Sequence, residues 1–152
     1  MAMKRTGEPW MKADAFGRSI PCGIGLNLLT HDPAALAAFC RDVLLARLVY
    51  QDADFAVAEI GGSQMLIHAD HTYSGHPMSG VIAGVDMRGI GAELRLYGLD
   101  PDGAEVRARA AGHLVLAGSS DKPHGMRECH LIAPEGYVFV PCVAIGANET
   151  RS

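Results

Sequence analysis

Apolar and polar residues alternate along two short segments of the chain that lie 68 residues apart. The first leads from Leu26 to Asp32-Pro33, and the second leads from Leu94 to Asp100-Pro101. Period-two alternation predicts a half-buried strand. The Asp-Pro pair predicts a helix start, with Asp as the N-cap and Pro as the first helical residue. Because the spacing is close to half the chain, each copy is expected to be a complete supersecondary unit.

The first copy, residues 23–69, predicts a strand, a helix and three further strands. A strand over 23–30 is followed by apolar residues at three-to-four spacing, which predict a helix over 34–45 with one buried face. Short apolar runs separated by turn residues then predict an antiparallel meander. Its strands are expected at 48–52, 55–60 and 63–68.

The second copy, residues 89–143, repeats this order. A strand is predicted over 92–97, followed by a helix that begins at Asp100 and ends near Ala111, where Gly112 stops it. The last three strands are expected at 113–117, 126–132 and 137–143. The polar, glycine-rich residues 70–88 form the predicted linker, and residues 1–20 and 146–152 form predicted tails on a single domain over 21–145.

Each predicted sheet has one face covered by its own helix and the opposite face free. The chain is therefore expected to have an α+β fold, in which two βαβββ repeats form curved mixed sheets around a cavity. A ligand is expected to bind in that cavity.

Composition narrows the classes of partner. The 152 residues are 49% hydrophobic, with a net charge of −4, so the chain can bury an ordinary core but lacks the basic surface typical of proteins that bind nucleic acid or anionic membranes. No apolar run approaches the length of a membrane span, and we expect a cytoplasmic protein. The four cysteines, Cys22, Cys40, Cys129 and Cys142, are widely spaced, which favours reduced and buried thiols over a zinc or redox motif.

Several motifs together resemble the vicinal oxygen chelate superfamily, which includes glyoxalases, bleomycin-resistance proteins, fosfomycin-resistance enzymes and extradiol dioxygenases. The likeness covers residues 23–143 and is carried by residues 32–44, 93–102 and 122–136. The last stretch resembles the family's Pro-Trp-Gly and Asp-Pro-Asp-Gly pattern, but His124 replaces the Trp and Ala133 replaces the first Asp. The resemblance implies the glyoxalase/bleomycin-resistance fold, which hosts isomerases, dioxygenases, transferases and plain binders.

The resemblance also implies four positions at which catalytic members hold a divalent metal. Here they fall on Gly25, Leu66, Glu93 and Val140, of which only Glu93 has a side chain that binds metal. A catalytic metal needs about three protein ligands, so we expect the inherited metal site to be absent. The acidic stretch at residues 50–56 resembles that of the metal-free, bleomycin-resistance-like members, and the leading hypothesis is a protein that binds a small organic molecule without a cofactor.

Period-two alternation places further polar residues on the same strand faces as these four positions. The expected ligand-binding residues are Asn27, Gln64, Glu93, Arg95, Tyr97 and Glu128.

Two enzymatic alternatives remain open. A relocated set of ligands, His68, Glu93 and His130, would suit a divalent transition metal in a lyase, isomerase or dioxygenase. Alternatively, a metal-free enzyme would use Glu93 as the catalytic base, with Arg95 or Tyr97 stabilising an oxyanion. A two-fold symmetric homodimer is expected in each case, since the two repeats leave sheet edges exposed.

Overall fold

Eight strands form two four-stranded sheets in the computed structural model, which describes residues 10–20 and 23–146. Sheet A contains β1 (Leu26–Thr30), β2 (Arg47–Gln51), β3 (Phe55–Ile60) and β4 (Ser63–Ala69). Sheet B contains β5 (Glu93–Tyr97), β6 (Leu114–Asp121), β7 (Met126–Ile132) and β8 (Val138–Ala144). The described α-helices are α1 (Ala13–Ser19), α2 (Pro33–Asp42), α3 (Met78–Ile82) and α4 (Pro101–Ala110).

The two sheets have the same topology, which confirms the duplicated βαβββ arrangement and the α+β class. Sheet A has the order β1-β4-β3-β2, and sheet B has the equivalent order β5-β8-β7-β6. In each sheet the first strand of the repeat lies parallel to the last, and the other pairs are antiparallel. The register pairs Asn27 with Leu66 in sheet A and Arg95 with Val140 in sheet B.

Both Asp-Pro motifs start helices as predicted. The side chain of Asp32 accepts a hydrogen bond from the amide of Ala35 at 3.0 Å, and the next residue, a proline, begins α2. Asp100 accepts from the amides of Asp102 and Gly103, both at 3.1 Å, at the start of α4. These carboxylates satisfy amide groups that have no partner within the helix, which stabilises each N-terminus.

One hydrophobic core joins the two repeats. α2 packs on sheet A and α4 packs on sheet B, and the ring of Phe39 in α2 lies 5.7 Å from the ring of Phe139 in β8. Arg107 of α4 also donates to the carbonyl of Val43 at 2.9 Å. The helix-covered faces of both sheets therefore share the core, and the opposite face of each sheet, here called its open face, is left for other contacts.

A polar contact between the repeats involves a residue with unusual backbone geometry. Glu135 has φ of 61°, in the left-handed region that non-glycine residues adopt at a cost. Its carboxylate accepts hydrogen bonds from the hydroxyl of Thr30, at 2.8 Å, and from the amide of His31. Nearby, the hydroxyl of Tyr137 donates to the carbonyl of Leu29 at 2.7 Å. The turn before β8 is thus bonded to the end of β1.

The structure adds helices to two stretches in which none was predicted. Helix α1 occupies part of the predicted N-terminal tail, and the predicted linker holds α3 and a 3₁₀ turn at Asp70–Tyr73. None of the three has an apolar pattern strong enough to mark it in the sequence, and α1 buries no residue completely. Contacts with the sheet, rather than local periodicity, therefore hold α1 in place.

Cys40, Cys129 and Cys142 are buried free thiols, as expected, while Cys22 lies outside the described residues. Burial raises the pKa of Cys40 to about 12 and that of Cys129 to about 11. Within residues 10–20 and 23–146, every helix is too short or too polar to cross a bilayer.

Candidate functional site

Helix α1 and the residues before it lie over the open face of sheet A. The indole of Trp10 stacks on the ring of Tyr50, with centroids 5.3 Å apart and planes 15° apart, and Phe16 contacts the same indole edge-on at 6.0 Å. The space between this segment and the sheet is called the α1 groove below. It contains two cavities that share Leu66 as a common wall.

The first cavity of the groove, called the aromatic cavity, has a volume of about 340 Å³. Its walls include Trp10, Phe16, Phe55, Leu66 and His68. Most of these side chains are only partly buried, so their rings and aliphatic atoms face the cavity instead of the protein core. The walls are thus mainly apolar, as is typical of sites for small organic molecules.

Two carboxylates at the edge of the aromatic cavity organise its walls. Asp52 accepts hydrogen bonds from the hydroxyl of Tyr50 at 2.6 Å and from the amides of Asp54 and Phe55 at 2.9 Å. Asp54 is bonded to the Nε2 atom of His71 at 2.8 Å. The acidic turn between β2 and β3 thus holds two ring side chains in position: Tyr50, which stacks on Trp10, and His71.

His68 is the polar side chain at the inner end of the aromatic cavity. Its Nε2 atom is buried and has no hydrogen-bond partner within the described part of the chain. Burial lowers the pKa of His68, because desolvation disfavours the charged imidazolium. The ring is therefore neutral at physiological pH and presents an unused polar atom next to an apolar space.

The second cavity of the groove, called the amide cavity, has a volume of about 420 Å³ and is more polar. Two of the predicted ligand-binding residues, Asn27 and Gln64, line it together with Gly25 and Leu66. The side-chain amide of Asn27 donates to the hydroxyl of Tyr73 at 3.3 Å. Two of the six residues named in the sequence analysis therefore line a cavity together, and this cavity lies beneath a helix that was not predicted.

The other predicted residues lie on sheet B, where Glu93, Arg95 and Glu128 join two histidines in a continuous polar network. Arg95 is bonded to Glu128 and, at 3.3 Å, to Glu93. His130 bonds Glu93 at 3.0 Å, and His124 bonds Glu128 at 3.2 Å. This series of five side chains is called the sheet B network below.

The sheet B network is partly buried, and its charges compensate one another. Glu128 is only 4% exposed. Burial alone would raise the pKa of its carboxyl group, but hydrogen bonds from Arg95 and His124 outweigh that effect and lower it. The same pairing raises the pKa of Arg95. Tyr97, the remaining predicted residue, is 72% exposed at the end of β5.

The structure brings together two of the three residues of the relocated metal set. Glu93 and His130 are in contact on sheet B, whereas His68 lies on sheet A. The guanidinium of Arg95 bonds the same carboxylate, and a neighbouring positive charge opposes the binding of a metal cation. Across residues 10–20 and 23–146, no three His, Cys, Asp or Glu side chains are grouped as a metal ion requires. Among the described residues, Glu93 and His130 therefore do not make a metal site by themselves.

Sequence reasoning missed the contribution of the N-terminal segment to the site. Trp10 and Phe16 are the principal aromatic side chains that this segment adds. One signal was available, since Trp10 is the only tryptophan of the chain and stands in an otherwise polar stretch. A large aromatic residue of this kind is unlikely to be left in solvent without a contact.

Comparison with solved structures finds this architecture in several bacterial proteins. A glyoxalase/bleomycin resistance protein/dioxygenase from Nocardioides superposes with a TM-score of 0.65 at 20% identity, over 91% of this chain and 97% of that one. A protein of the glyoxalase/bleomycin resistance protein/dioxygenase family from Burkholderia phytofirmans PsJN superposes with a TM-score of 0.63 at 21% identity, over 79% of this chain and 96% of that one.

A lactoylglutathione lyase from Agrobacterium tumefaciens is also similar, with a TM-score of 0.56 at 18% identity over 81% of this chain and 94% of that one. No protein-family model matches the chain, and no curated protein sequence does either. At these identities, the likeness concerns the fold.

Proposed function

We propose that this chain, which has the glyoxalase/bleomycin-resistance fold of the vicinal oxygen chelate superfamily, binds a small organic molecule in the α1 groove without a metal ion. The observation that carries the proposal is the pair of cavities on sheet A, about 340 and 420 Å³ in volume. Sites for small molecules typically measure roughly 300–1,000 Å³ and combine apolar walls with a few polar groups. Here Asn27 and Gln64 supply polar groups at one end, and aromatic side chains supply apolar walls at the other.

The fold does not decide between binding and catalysis, so the proposal rests on the site. The similar solved structures include a glyoxalase/bleomycin resistance protein/dioxygenase and a lactoylglutathione lyase, and one scaffold can host such different activities. In this chain both carboxylate oxygens of Glu93 already have partners, Arg95 and His130. A catalytic base needs a carboxylate oxygen within reach of a substrate proton. Because both oxygens of Glu93 are hydrogen-bonded, the site favours a binding protein over an enzyme. The sheet B network is then a polar surface outside the groove.

A metal-dependent lyase, isomerase or dioxygenase remains the second candidate, because Glu93 and His130 are adjacent. Metal analysis of protein purified without a chelator distinguishes the two functions. Binding without a cofactor predicts a substoichiometric metal content that does not change the affinity for organic ligands. A stoichiometric transition metal that is lost in the Glu93→Gln variant would favour the enzyme.

A thermal-shift screen of small organic molecules tests the proposed function, since a ligand that binds only the native state raises the melting temperature. Leu66 is the wall common to both cavities, so Leu66→Trp is expected to fill the groove and abolish the shift. Val106→Trp is the matched control, because Val106 is 67% exposed on α4, outside both the groove and sheet B. Circular dichroism establishes that both variants are folded.

The proposed function would be refuted if no compound stabilised the wild-type protein. It would also be refuted if folded Leu66→Trp bound the same compounds as tightly as wild type does, since the site would then lie elsewhere.

We also propose that the protein forms a two-fold homodimer through sheet B. The open face of this sheet has no helix over it among the described residues, and its two edge strands carry exposed apolar side chains at Tyr97, Leu114 and Leu116. Exposed apolar side chains of this size are enriched at subunit interfaces. Light scattering should give twice the mass of the chain for wild type and a monomer for Leu116→Glu.

A further inference from the structure

The aromatic side chains of this protein are unevenly distributed. The chain has one Trp, four Tyr and four Phe. Five of these, Trp10, Phe16, Tyr50, Phe55 and Tyr73, take part in one series of ring contacts in and beside the α1 groove. This series, together with His68, is called the aromatic row below.

The contacts of the aromatic row are continuous across sheet A. Tyr50, which stacks on Trp10, has its ring centroid 6.2 Å from that of Phe55. Phe55 lies 4.8 Å from His68, which in turn meets Tyr73 edge-on at 5.5 Å. Three strands and the linker therefore contribute rings to one surface, and α1 adds Phe16.

The hydrophobic core does not explain this concentration of rings. The buried cluster between the repeats contains two phenylalanines, Phe39 and Phe139, and is otherwise built mainly from aliphatic side chains and cysteines. Members of the aromatic row remain partly accessible, and Trp10 is 40% exposed. Rings that surround a cavity without filling it offer flat surfaces to a ligand, and stacked or edge-on pairs stabilise aromatic rings beyond simple burial.

His68 adds one directional requirement to this flat surface. His68 lines the aromatic cavity, and its buried Nε2 atom has no partner among residues 10–20 and 23–146. A neutral imidazole nitrogen either donates or accepts, depending on the tautomer, and a hydroxyl group complements both forms because it can do either. A buried polar atom without a partner is costly, so a ligand that supplies one gains affinity.

Building on the proposed function, we infer that the α1 groove selects a flat hydroxy-aromatic molecule, whose ring lies against the aromatic row and whose hydroxyl bonds Nε2 of His68. Phe55 and Trp10 then act as the flat contact surfaces, and His68 determines specificity for the hydroxyl. Asn27 and Gln64 remain available, in the amide cavity, to substituents of a larger ligand.

Three probes of similar size test this inference by isothermal titration calorimetry. 2-Naphthol is flat and carries a hydroxyl, 2-methylnaphthalene is flat without a donor or an acceptor, and trans-2-decalol carries a hydroxyl but is not flat. The wild-type protein is expected to bind 2-naphthol roughly tenfold more tightly than either of the others, the ratio that one ring contact or one hydrogen bond supplies. Because Trp10 is the only tryptophan, a change in its emission on addition of trans-2-decalol, which does not absorb in this range, reports whether that probe enters the groove.

Two variants separate the contributions of the hydroxyl and the ring. His68→Phe keeps a ring of similar size and is expected to bind 2-naphthol and 2-methylnaphthalene equally. His113→Phe is the matched control, since His113 is partly buried but contacts Phe39 of the core, and it should retain the wild-type ratio. Phe55→Leu should lose the preference for 2-naphthol over trans-2-decalol, and it gives a second test if His68→Phe does not fold.

The inference is overturned if wild type binds trans-2-decalol as tightly as 2-naphthol, or if His68→Phe still discriminates between the two naphthalenes. In either case a molecule binds in the groove, and the proposed function stands. Absence of binding by all three probes also overturns the inference, and it contradicts the proposed function only when the broader thermal-shift screen finds no ligand.

Discussion

Replacing Glu135 by alanine should weaken the contact between the two repeats by an amount that the structure allows us to estimate. Thr30, whose hydroxyl donates to this carboxylate, is completely buried, and loss of a partner for a buried polar group costs about 1–3 kcal/mol. The amide of His31 loses an acceptor at a more exposed position, which adds about 1 kcal/mol. Arg88, whose Nη1 lies 3.4 Å from the second carboxylate oxygen of Glu135, retains its two bonds to Asp70, so loss of this ion pair adds little to the difference.

The expected loss for Glu135→Ala is therefore about 2–4 kcal/mol in the free energy of unfolding. For a chain of this length it corresponds to a fall of roughly 5–15 °C in melting temperature. Chemical denaturation followed by circular dichroism measures the free energy directly.

Two further substitutions at Glu135 separate hydrogen bonding from backbone strain. Glu135→Gln retains an oxygen acceptor and should cost less than about 1.5 kcal/mol. Glu135→Gly loses the bonds but relieves the left-handed backbone, so it should be about 1 kcal/mol more stable than Glu135→Ala. If alanine is as stable as wild type, or if glycine is no better than alanine, the reasoning about this contact is incorrect.

Three other outcomes are expected. Gly89→Ala should be destabilised by about 1–3 kcal/mol, because a Cβ there would lie 2.4 Å from the Cα atom of Tyr137. Gly80→Ala is the control, since a Cβ at Gly80 has free space and this variant should melt near wild type. Equal melting temperatures of the two variants would contradict this reasoning. Since the folded-state pKa of Glu128 lies below its ordinary value of 4.5, the stability gained from its ionised form is present above pH 4.5 and lost as the pH falls below it. Arg95→Met should therefore lower the free energy of unfolding by about 1–3 kcal/mol at pH 7 and by less at pH 3.5, and a difference independent of pH would argue against the pairing. The thiol of Cys40, whose pKa burial raises to about 12, should be alkylated by iodoacetamide at pH 8 only after unfolding, as peptide mass spectrometry would show.

The pattern of apolar and polar residues was sufficient to predict the strands and helices of the two repeats. The eight predicted strands and the two Asp-Pro helices are all present, because each has a strong local signal, either period-two alternation or an N-cap followed by proline. The parallel pairing of the first and last strand in each repeat makes both sheets mixed, as predicted. The α+β class and the duplicated topology could therefore be predicted from one sequence.

The candidate site could be predicted only in part. Alternation correctly placed Asn27 and Gln64 on one open face and Glu93 and Arg95 on another. It did not indicate which residues of the two faces would come together, because strand register and the packing of the repeats depend on contacts distant in sequence. The His130–Glu93 and Arg95–Glu128 bonds, which join different strands, are of this kind.

Local sequence alone determined the elements of this protein whose stability arises within a few residues: the strands, the capped helices and the turns between them. Tertiary structure alone decided the position of α1, the rings that line the α1 groove and the pairing of charges on sheet B. The physical reason is that Trp10 and Phe16 gain their contacts from a sheet formed by residues some 40–60 positions away in the chain, beyond the reach of any local pattern.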